Sequence, residues 1–464
     1  MTGDSTIPAG NRPMRSPYMT PEEIAGSRPF AFAADQSTPL ERARQRMIAT
    51  GQWNGAQAMG RRWAIGCVAL EITQRCNLDC SLCYLSENAE AIRDVPLPEL
   101  FRRIDEIRSI YGPKTDIQVT GGDPTLRRRD ELVAIVRRIR DRGMRPALFT
   151  NGIRASRDLL SELAQAGLVD VAFHVDMTQG RRGYCSEVEL NVLRRDYIEQ
   201  ARGLRLAVIF NTTVFAGNFA EIPGVAAFLT AHSDIVAFAS FQLQADTGRG
   251  TERERASCIT SDSVAEAICR GIGSRLSFGF PAAGHVRCNQ YAMALVCNGR
   301  AYDFYDDRDF VTLALEATAG LQFERRSRRR AVVSSLAWAL RHPQFIAPAS
   351  RWLARKLWRM RYDLIAARGR INKISFFIHN FMDACRLERD RIDGCAFMVA
   401  SADGPLSMCL HNARRDEFLL KPTRIATEDG PTFWNPVTGE LQQDPQPAGA
   451  PEVPTRRRKG RGRV

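Results

Sequence analysis

The sequence predicts an α/β protein: a partly open barrel of six β/α units, followed by a C-terminal domain that carries a second set of cysteines. Three observations lead there. Between Ala64 and Asp246, short β-rich runs alternate with amphipathic helical segments, the pattern of parallel βαβ units. Each run delivers hydrogen-bonding residues at its carboxyl end, where barrel enzymes keep their sites. Beyond that region lie Cys288, Cys385, Cys395 and Cys409. A doubly wound sheet is the alternative that pattern alone leaves open.

In order, strands are expected at Ala64–Thr73, Asp116–Thr120, Arg145–Thr150, Val169–Val175, Arg205–Val214 and Ile235–Gln242. Helices are expected at Leu97–Tyr111, Asp130–Arg142, Ser156–Ala166, Val188–Arg202 and Phe219–His232, each with apolar residues at helical spacing. Six strands in about 180 residues suit six units better than the eight of a full barrel. The strand ends read Thr120-Gly121-Gly122-Asp123, Thr150-Asn151-Gly152, His174-Val175-Asp176, Asn211-Thr212-Thr213 and Gln242-Leu243-Gln244. Any one of these is more often a turn than a ligand site; it is their shared position that argues for a site.

The 464 residues are enough for two or three packed units. No secretory h-region and no apolar run long enough to span a bilayer is visible, so a cytoplasmic setting with reduced thiols is expected. Twelve cysteines in such a setting point to metal ligation. The expected division is a flexible extension over 1–45, the barrel over 46–250 and a barrel extension over 251–320. A basic, Trp-rich amphipathic insert follows over 321–373, then the cysteine domain over 374–430 and a disordered basic tail over 431–464.

After the first strand stands Cys76-Asn-Leu-Asp-Cys80-Ser-Leu-Cys83-Tyr84. Three thiolates in so short a loop can hold three irons of a [4Fe–4S] cube. With the next cysteine only at Cys185, the fourth iron is left for a non-protein ligand, as in open catalytic metal sites. Zinc is the alternative, although structural zinc usually shows two separated ligand pairs.

With the C-x3-C-x2-C loop after strand one and Gly121-Gly122-Asp123 after strand two, the chain resembles the radical S-adenosylmethionine (SAM) superfamily over about Ala64 to Asp246. That resemblance implies a radical SAM partial barrel. It implies that Cys76, Cys80 and Cys83 hold a [4Fe–4S] cluster whose free iron binds SAM. Reductive cleavage of SAM then gives a 5′-deoxyadenosyl radical that takes hydrogen from an unactivated carbon. It further implies that Gly121 and Gly122 admit the methionyl group and that Asp123, where the family more often has Glu, accepts from its ammonium. Tyr84 would lie near the adenine in place of the aromatic residue usual before the third cysteine, here Leu82. Asn151, Asn211 and Gln244 are candidates for ribose or substrate contact. An electron donor of flavodoxin or ferredoxin type is implied as a partner.

The later cysteines resemble the auxiliary-cluster region of the branch related to tetraether lipid synthase and the methanogen pterin methylase. The matching elements are His285-x-x-Cys288, His379 to Asp383, Cys395 and Cys409-x-x-Asn412. A hairpin turning at Asp403-Gly404 would bring Cys395 and Cys409 together. The resemblance implies a second [4Fe–4S] cluster on Cys288, Cys395 and Cys409, with the fourth ligand open between Cys385, Cys297 and a non-cysteine group. Zinc, or unliganded core thiols, is the alternative.

Between Arg325 and Lys373 lie fourteen Lys or Arg against one acid, Asp363, an excess equal to the whole chain's +13. Trp352, Leu353, Leu357, Trp358 and Met360 interleave with Arg351, Arg355, Lys356, Arg359 and Arg361, the composition of an interfacial helix on anionic lipid. A structural helix and a nucleic-acid surface compete with that reading. Taken together, the sequence points to radical bond formation on a lipid or long-chain precursor by an enzyme peripheral to the inner face of the membrane. Methylation of a pterin-like small molecule is the runner-up, followed by peptide or nucleic-acid modification. The non-enzyme alternative is a structural Fe–S or zinc protein.

Overall fold

The computed structural model describes residues 16–29, 37–251, 254–319, 328–427 and 430–444. Two short helices, α1 (Pro21–Gly26) and α2 (Pro39–Ala49), lead into six strands: β1 (Cys67–Thr73), β2 (Asp116–Gly121), β3 (Arg145–Thr150), β4 (Asp170–His174), β5 (Ala207–Val214) and β6 (Val236–Leu243). These pair in sequential, parallel order. Between them run α3 (Leu97–Tyr111), α4 (Arg129–Asp141), α5 (Arg157–Ala166), α6 (Asn191–Ala201) and α7 (Ile222–Ala231). On α3, Leu100, Ile104, Ile107 and Tyr111 recur at helical spacing and are buried. They pack in one core with Val68, Leu70 and Ile72 of β1 and Ile117 and Val119 of β2. Each such fully buried Leu or Ile contributes about 2 kcal/mol.

The sheet is larger than expected. After α8 (Ser261–Ile272) come β7 (Asn289–Cys297), β8 (Arg300–Asp303), α9 (Arg308–Ala317), α10 (Arg328–Leu340) and α11 (Pro343–Ala366). Then follow β9 (Asn372–Asn380), α12 (Arg389–Asp393), β10 (Phe397–Ser401), β11 (Gly404–Ser407), α13 (Met408–Ala413) and α14 (Arg415–Leu419). The order is β11-β10-β1-β2-β3-β4-β5-β6-β9-β7-β8. β10 adds parallel to β1 and β9 adds parallel to β6, so eight strands run in one direction. The expected separate domain over 374–430 therefore shares the barrel's own sheet. In a flat sheet, seven steps of about 4.8 Å would separate β9 from β10 by about 34 Å. Instead the His379 ring of β9 lies 5.0 Å from the Phe397 ring of β10. The sheet is curled almost to closure, and side chains rather than a backbone ladder meet across the seam.

Two boundary expectations are corrected. The described part of 1–45 contains two helices: Thr20 with Glu23 and Thr38 with Glu41 form capping boxes, each with proline at the first turn. Met19 N–H donates to the Leu387 carbonyl at 2.7 Å, and Ala43 and Met47 enter the core. The first part of the expected tail is also folded, in a small sheet of β12 (Thr423–Thr427), β13 (Gly430–Trp434) and β14 (Leu441–Gln442), with Trp434 buried. Residues 1–15 and the basic run Arg456–Arg463 lie outside the described residues.

Candidate functional site

The Cys76–Cys83 loop has no regular secondary structure and is held in place by the strand ends around it. Gly122 N–H donates to Thr73 O at 2.9 Å and Asp123 N–H to Arg75 O at 2.8 Å, tying β2 to the start of the loop. Asn151, after β3, donates from Nδ2 to Asn77 Oδ1 at 2.6 Å. Ser81 N–H donates to Thr178 O at 2.8 Å, beyond β4. Beyond β6, residues 249–251 strap the loop: Arg249, Gly250 and Thr251 N–H groups donate to the carbonyls of Leu85, Cys83 and Ser81. Gly248 and Gly250 permit this, since a Cβ on either would run into the Ser81–Tyr84 backbone.

The three thiols form one group. Burial pushes Cys76 up to about 11, with Asp123 and Cys83 adding to the shift and the Leu78 backbone N–H opposing it. Burial raises Cys80 further, and Cys83 and Cys76 add to it. The buried Arg249 hydrogen-bonds to Cys83 and pairs with Glu90 at 3.2 Å, so a cation sits against this thiol set. Among the described residues no three or more His, Cys, Asp or Glu side chains converge on a single-ion site. A four-iron cube instead spreads its thiolates over separate irons.

The residues carried over by resemblance also have structural contacts of their own. A Cβ on Gly121 would overlap the Thr73 carbonyl, and one on Gly122 the Arg75 carbonyl. The glycine pair thus makes room for the cysteine loop itself. The Asp123 carboxylate is buried and engaged: it accepts from Thr125 N at 2.9 Å, Thr125 Oγ1 at 2.5 Å, Thr150 Oγ1 at 2.8 Å and Asn151 N at 2.8 Å. With so many donors on it, Asp123 braces β2 against β3 rather than presenting a free acceptor. Tyr84 donates its hydroxyl to Gly121 O at 2.5 Å, and the Arg415 guanidinium lies 4.7 Å from its ring centre, covering one face of the ring. Gln244 donates to Glu254 O at 3.0 Å, and Asn211 is buried on β5 opposite His174.

Strand alternation separates two faces. Val68, Phe173, Phe210 and Phe241 belong to the helix-packed core. The alternate positions, on the concave side, include Gln118, Phe149, His174, Ile209, Phe238 and Phe377, all only partly buried. Phe238 and Phe377 sit 5.8 Å apart, with Tyr291 of β7 at 6.3 Å from each. Two charged pairs punctuate this face. Glu71 of β1 is buried against Arg415, with oxygens at 2.8 and 2.9 Å from Nη1; burial works to raise its carboxyl, but Arg415 and His411 hold it below the usual range.

The second pair was read in the sequence as a polar strand end, but its pairing was missed. His174 Nε2 and Asp176 Oδ2 are 2.7 Å apart, and Asp176 also accepts from Thr213 N at 2.7 Å and from Thr178. Burial works to raise Asp176, but His174 and these donors outweigh it and hold the carboxyl at about 2. Burial works to lower His174, but Asp176 raises it. The signal was the His-x-Asp spacing at a strand end, which sends both side chains to one side. Arg249 was also missed, although Gly248-Arg249-Gly250 after a strand is its own signal.

At the seam, Cys288 precedes β7, Cys395 precedes β10 and Cys409 opens α13. Burial raises all three thiols, that of Cys395 to about 11; Cys288 adds to Cys395, and both add to Cys409. Each sulfur accepts at least one N–H: Arg391 Nε on Cys288 at 3.3 Å, Phe397 N on Cys395 at 3.3 Å and Met382 N on Cys409 at 3.5 Å. The three thiols thus influence one another across the seam. Cys385 is exposed, unlike the buried Cys395 and Cys409. Cys297 stands at the far end of β7, about 30 Å of extended strand from Cys288, with its thiol on Arg370 O at 3.4 Å. It is too far to be the fourth ligand.

Residues 70–214 match the family described as the Radical SAM superfamily. That segment is a radical SAM domain. The match runs from β1 to the end of β5 and contains the cysteine loop and Gly121-Gly122-Asp123. Similar radical SAM relatives include 7,8-dihydro-6-hydroxymethylpterin dimethyltransferase of Methanocaldococcus jannaschii, 28% identical over 191 residues, 40% of this chain and 37% of that one. A probable GTP 3′,8-cyclase of Pyrococcus abyssi is 35% identical over 150 residues, 32% of this chain and 47% of that one. The chain thus spans less than half the length of either. Among solved structures, Streptococcus suis SuiB bound to S-adenosylmethionine shares 13% identity with a TM-score of 0.32, covering 41% of this chain and 43% of that one. Radical SAM proteins use a [4Fe–4S] cluster and SAM. The residues present fit such a cluster: three thiols on one loop that influence one another, a buried cation at Cys83, and the ends of five strands around them.

Proposed function

We propose that this chain is an enzyme that cleaves SAM reductively at Cys76, Cys80 and Cys83 and acts on an unactivated C–H of a lipid or long-chain precursor, forming a new bond there. When bound, the cluster and SAM supply the 5′-deoxyadenosyl radical. The chain's own residues hold the loop, line the substrate space and keep a proton-carrying group, His174, at its edge. The observation that carries the substrate reading is the concave face, where Phe149, Ile209, Phe238, Phe377 and Tyr291 remain partly open. An alkyl chain gains about 0.8 kcal/mol per methylene buried against such a surface.

Comparative metabolite analysis of a deletion strain tests this: the lipid profile is expected to lose a modified chain. An unchanged lipid profile beside a changed pterin pool would replace the reading with methylation of a pterin-like compound. The aromatic lining and the M. jannaschii relative favour that second reading, because a flat ring stacks on Phe and Tyr.

The seam cysteines are proposed to hold a second [4Fe–4S] cluster. The three N–H donors support thiolates there, since hydrogen bonds to cluster sulfurs are among the protein's levers on such centres. A Cys76→Ala/Cys80→Ala/Cys83→Ala variant, reconstituted anaerobically, is expected to retain about four irons per chain. Near-zero iron, or zinc in its place, would remove the second cluster from the account.

A further inference from the structure

The basic segment, which the barrel chemistry leaves unused, folds as a helical hairpin. Trp338 near the end of α10 stacks on His342 at 4.2 Å and meets Phe345 edge-on at 5.2 Å, which fixes the turn into α11. One side of α11 belongs to the body. Trp352 packs against Phe304 and Phe310 at 4.9 and 5.1 Å, Met360 is buried, and Lys356 pairs with Asp306 at 2.5 Å. Arg355 and Arg359 reach Asp307 and Asp306. Asp363 accepts from Asn298 at 3.0 Å. Trp352 and Met360, which the sequence placed on an interfacial face, are thus packing residues.

The other side has a different character. Half of the exposed large apolar side chains among the described residues fall between residues 332 and 365. Trp358, Tyr362 and Ile365, one stripe at i, i+4 and i+7, are 68, 72 and 77% exposed, and Leu336 and Leu340 of α10 are 61 and 78% exposed. Arg351, one helical repeat before Trp358, lies on the same stripe. Arg361 sits 4.3 Å from the Trp358 ring and 4.4 Å from the Tyr362 ring. Neither arginine, nor Arg368 and Arg370 beyond the helix end, forms an ion pair among the described residues. The cations facing the body are neutralised, whereas those on the apolar stripe are not.

We propose that this face of α10 and α11 docks on the surface of an anionic phospholipid bilayer. The headgroup layer meets both halves of its chemistry. Trp and Tyr rings favour the interface, aliphatic side chains enter the acyl boundary, and arginines extend to lipid phosphates. A second copy of the chain would bring cations against cations. A nucleic acid would neutralise the arginines but leave Leu336, Leu340 and Ile365 without an apolar phase. No helix among the described residues is long and apolar enough to cross a membrane, so the contact is a surface one. The proposal does not depend on what the enzyme modifies.

Co-sedimentation of the full chain with phosphatidylglycerol-containing vesicles, compared with pure phosphatidylcholine vesicles, tests it. Binding is expected to the anionic vesicles only and to weaken as salt rises. Arg351→Gln and Arg361→Gln should each weaken it about fivefold, and the Trp358→Ser/Ile365→Ser variant at least tenfold. All are expected to keep the wild-type melting temperature, because the altered side chains pack on nothing in the body. The proposal is overturned by absence of vesicle binding, by variants that bind as wild type, or by a single-stranded RNA probe that binds through these residues while vesicles do not.

Discussion

A Gly122→Ala variant should fail to load iron on the Cys76 loop and should lose about 2–3 kcal/mol of stability. The added methyl has nowhere to go: it would overlap the Arg75 carbonyl oxygen and carbon, with Gln74 O at 2.8 Å as well. These are backbone atoms, so no rotamer change relieves the clash. If the loop yields, Asp123 N–H loses Arg75 O, and Cys76, the next residue, moves with it. If β2 yields instead, the Asp123 carboxylate leaves Thr150 and Asn151, and the brace between β2 and β3 opens. Either route reaches the thiols. Gly26→Ala, at a position with open space around it, is the control and should change neither quantity. Iron per chain after anaerobic reconstitution, read beside the melting temperature, checks this. Normal iron and an unshifted melt would show that the loop is held by something other than the glycine contact.

The six βα units were legible because each is local. Apolar period and turn residues lie within one segment, and the strand bounds fall within three residues of those expected. β1 starts late, at Cys67, because Gly66 is pressed against the Ala396 carbonyl before the ladder begins. What the sequence could not show was pairing between distant segments. β9 and β10 read as strands or hairpin arms, yet nothing in their pattern says that they extend the barrel on either side, and loop-closure over so long a separation leaves no local trace. Of the seam cysteines, the hairpin signal paired only Cys395 with Cys409; the approach of Cys288 depends on those two strands.

The site was legible in its residue types more than in their roles. Asp123-Pro124-Thr125 is itself a local capping signature, and that hydrogen bonding prevails over the ligand contact carried across by analogy. Tyr84 is likewise committed to Gly121 and Arg415. On the basic helix, composition showed Trp and Arg interleaved but not which tryptophan faces the body. Asp306 and Asp307, far away in sequence, decide that by drawing Lys356, Arg359 and Arg355 to them.

The second large effect is expected at Cys80. In the proposed centre Cys80 is one of three ligands, and both other thiols of the loop bear on it. The next cysteine in the chain, Cys185, is exposed on another loop. Substitution by alanine keeps the loop's backbone hydrogen bonds and the strap from Arg249 to Thr251, so the fold should survive while the chemistry does not. The most direct measurement is 5′-deoxyadenosine formation by anaerobically reconstituted protein given dithionite and SAM. Wild type is expected to produce it and Cys80→Ala to fall to the level of a protein-free control, with an unchanged melt. Equal product from the two proteins would contradict a radical SAM centre on Cys76, Cys80 and Cys83.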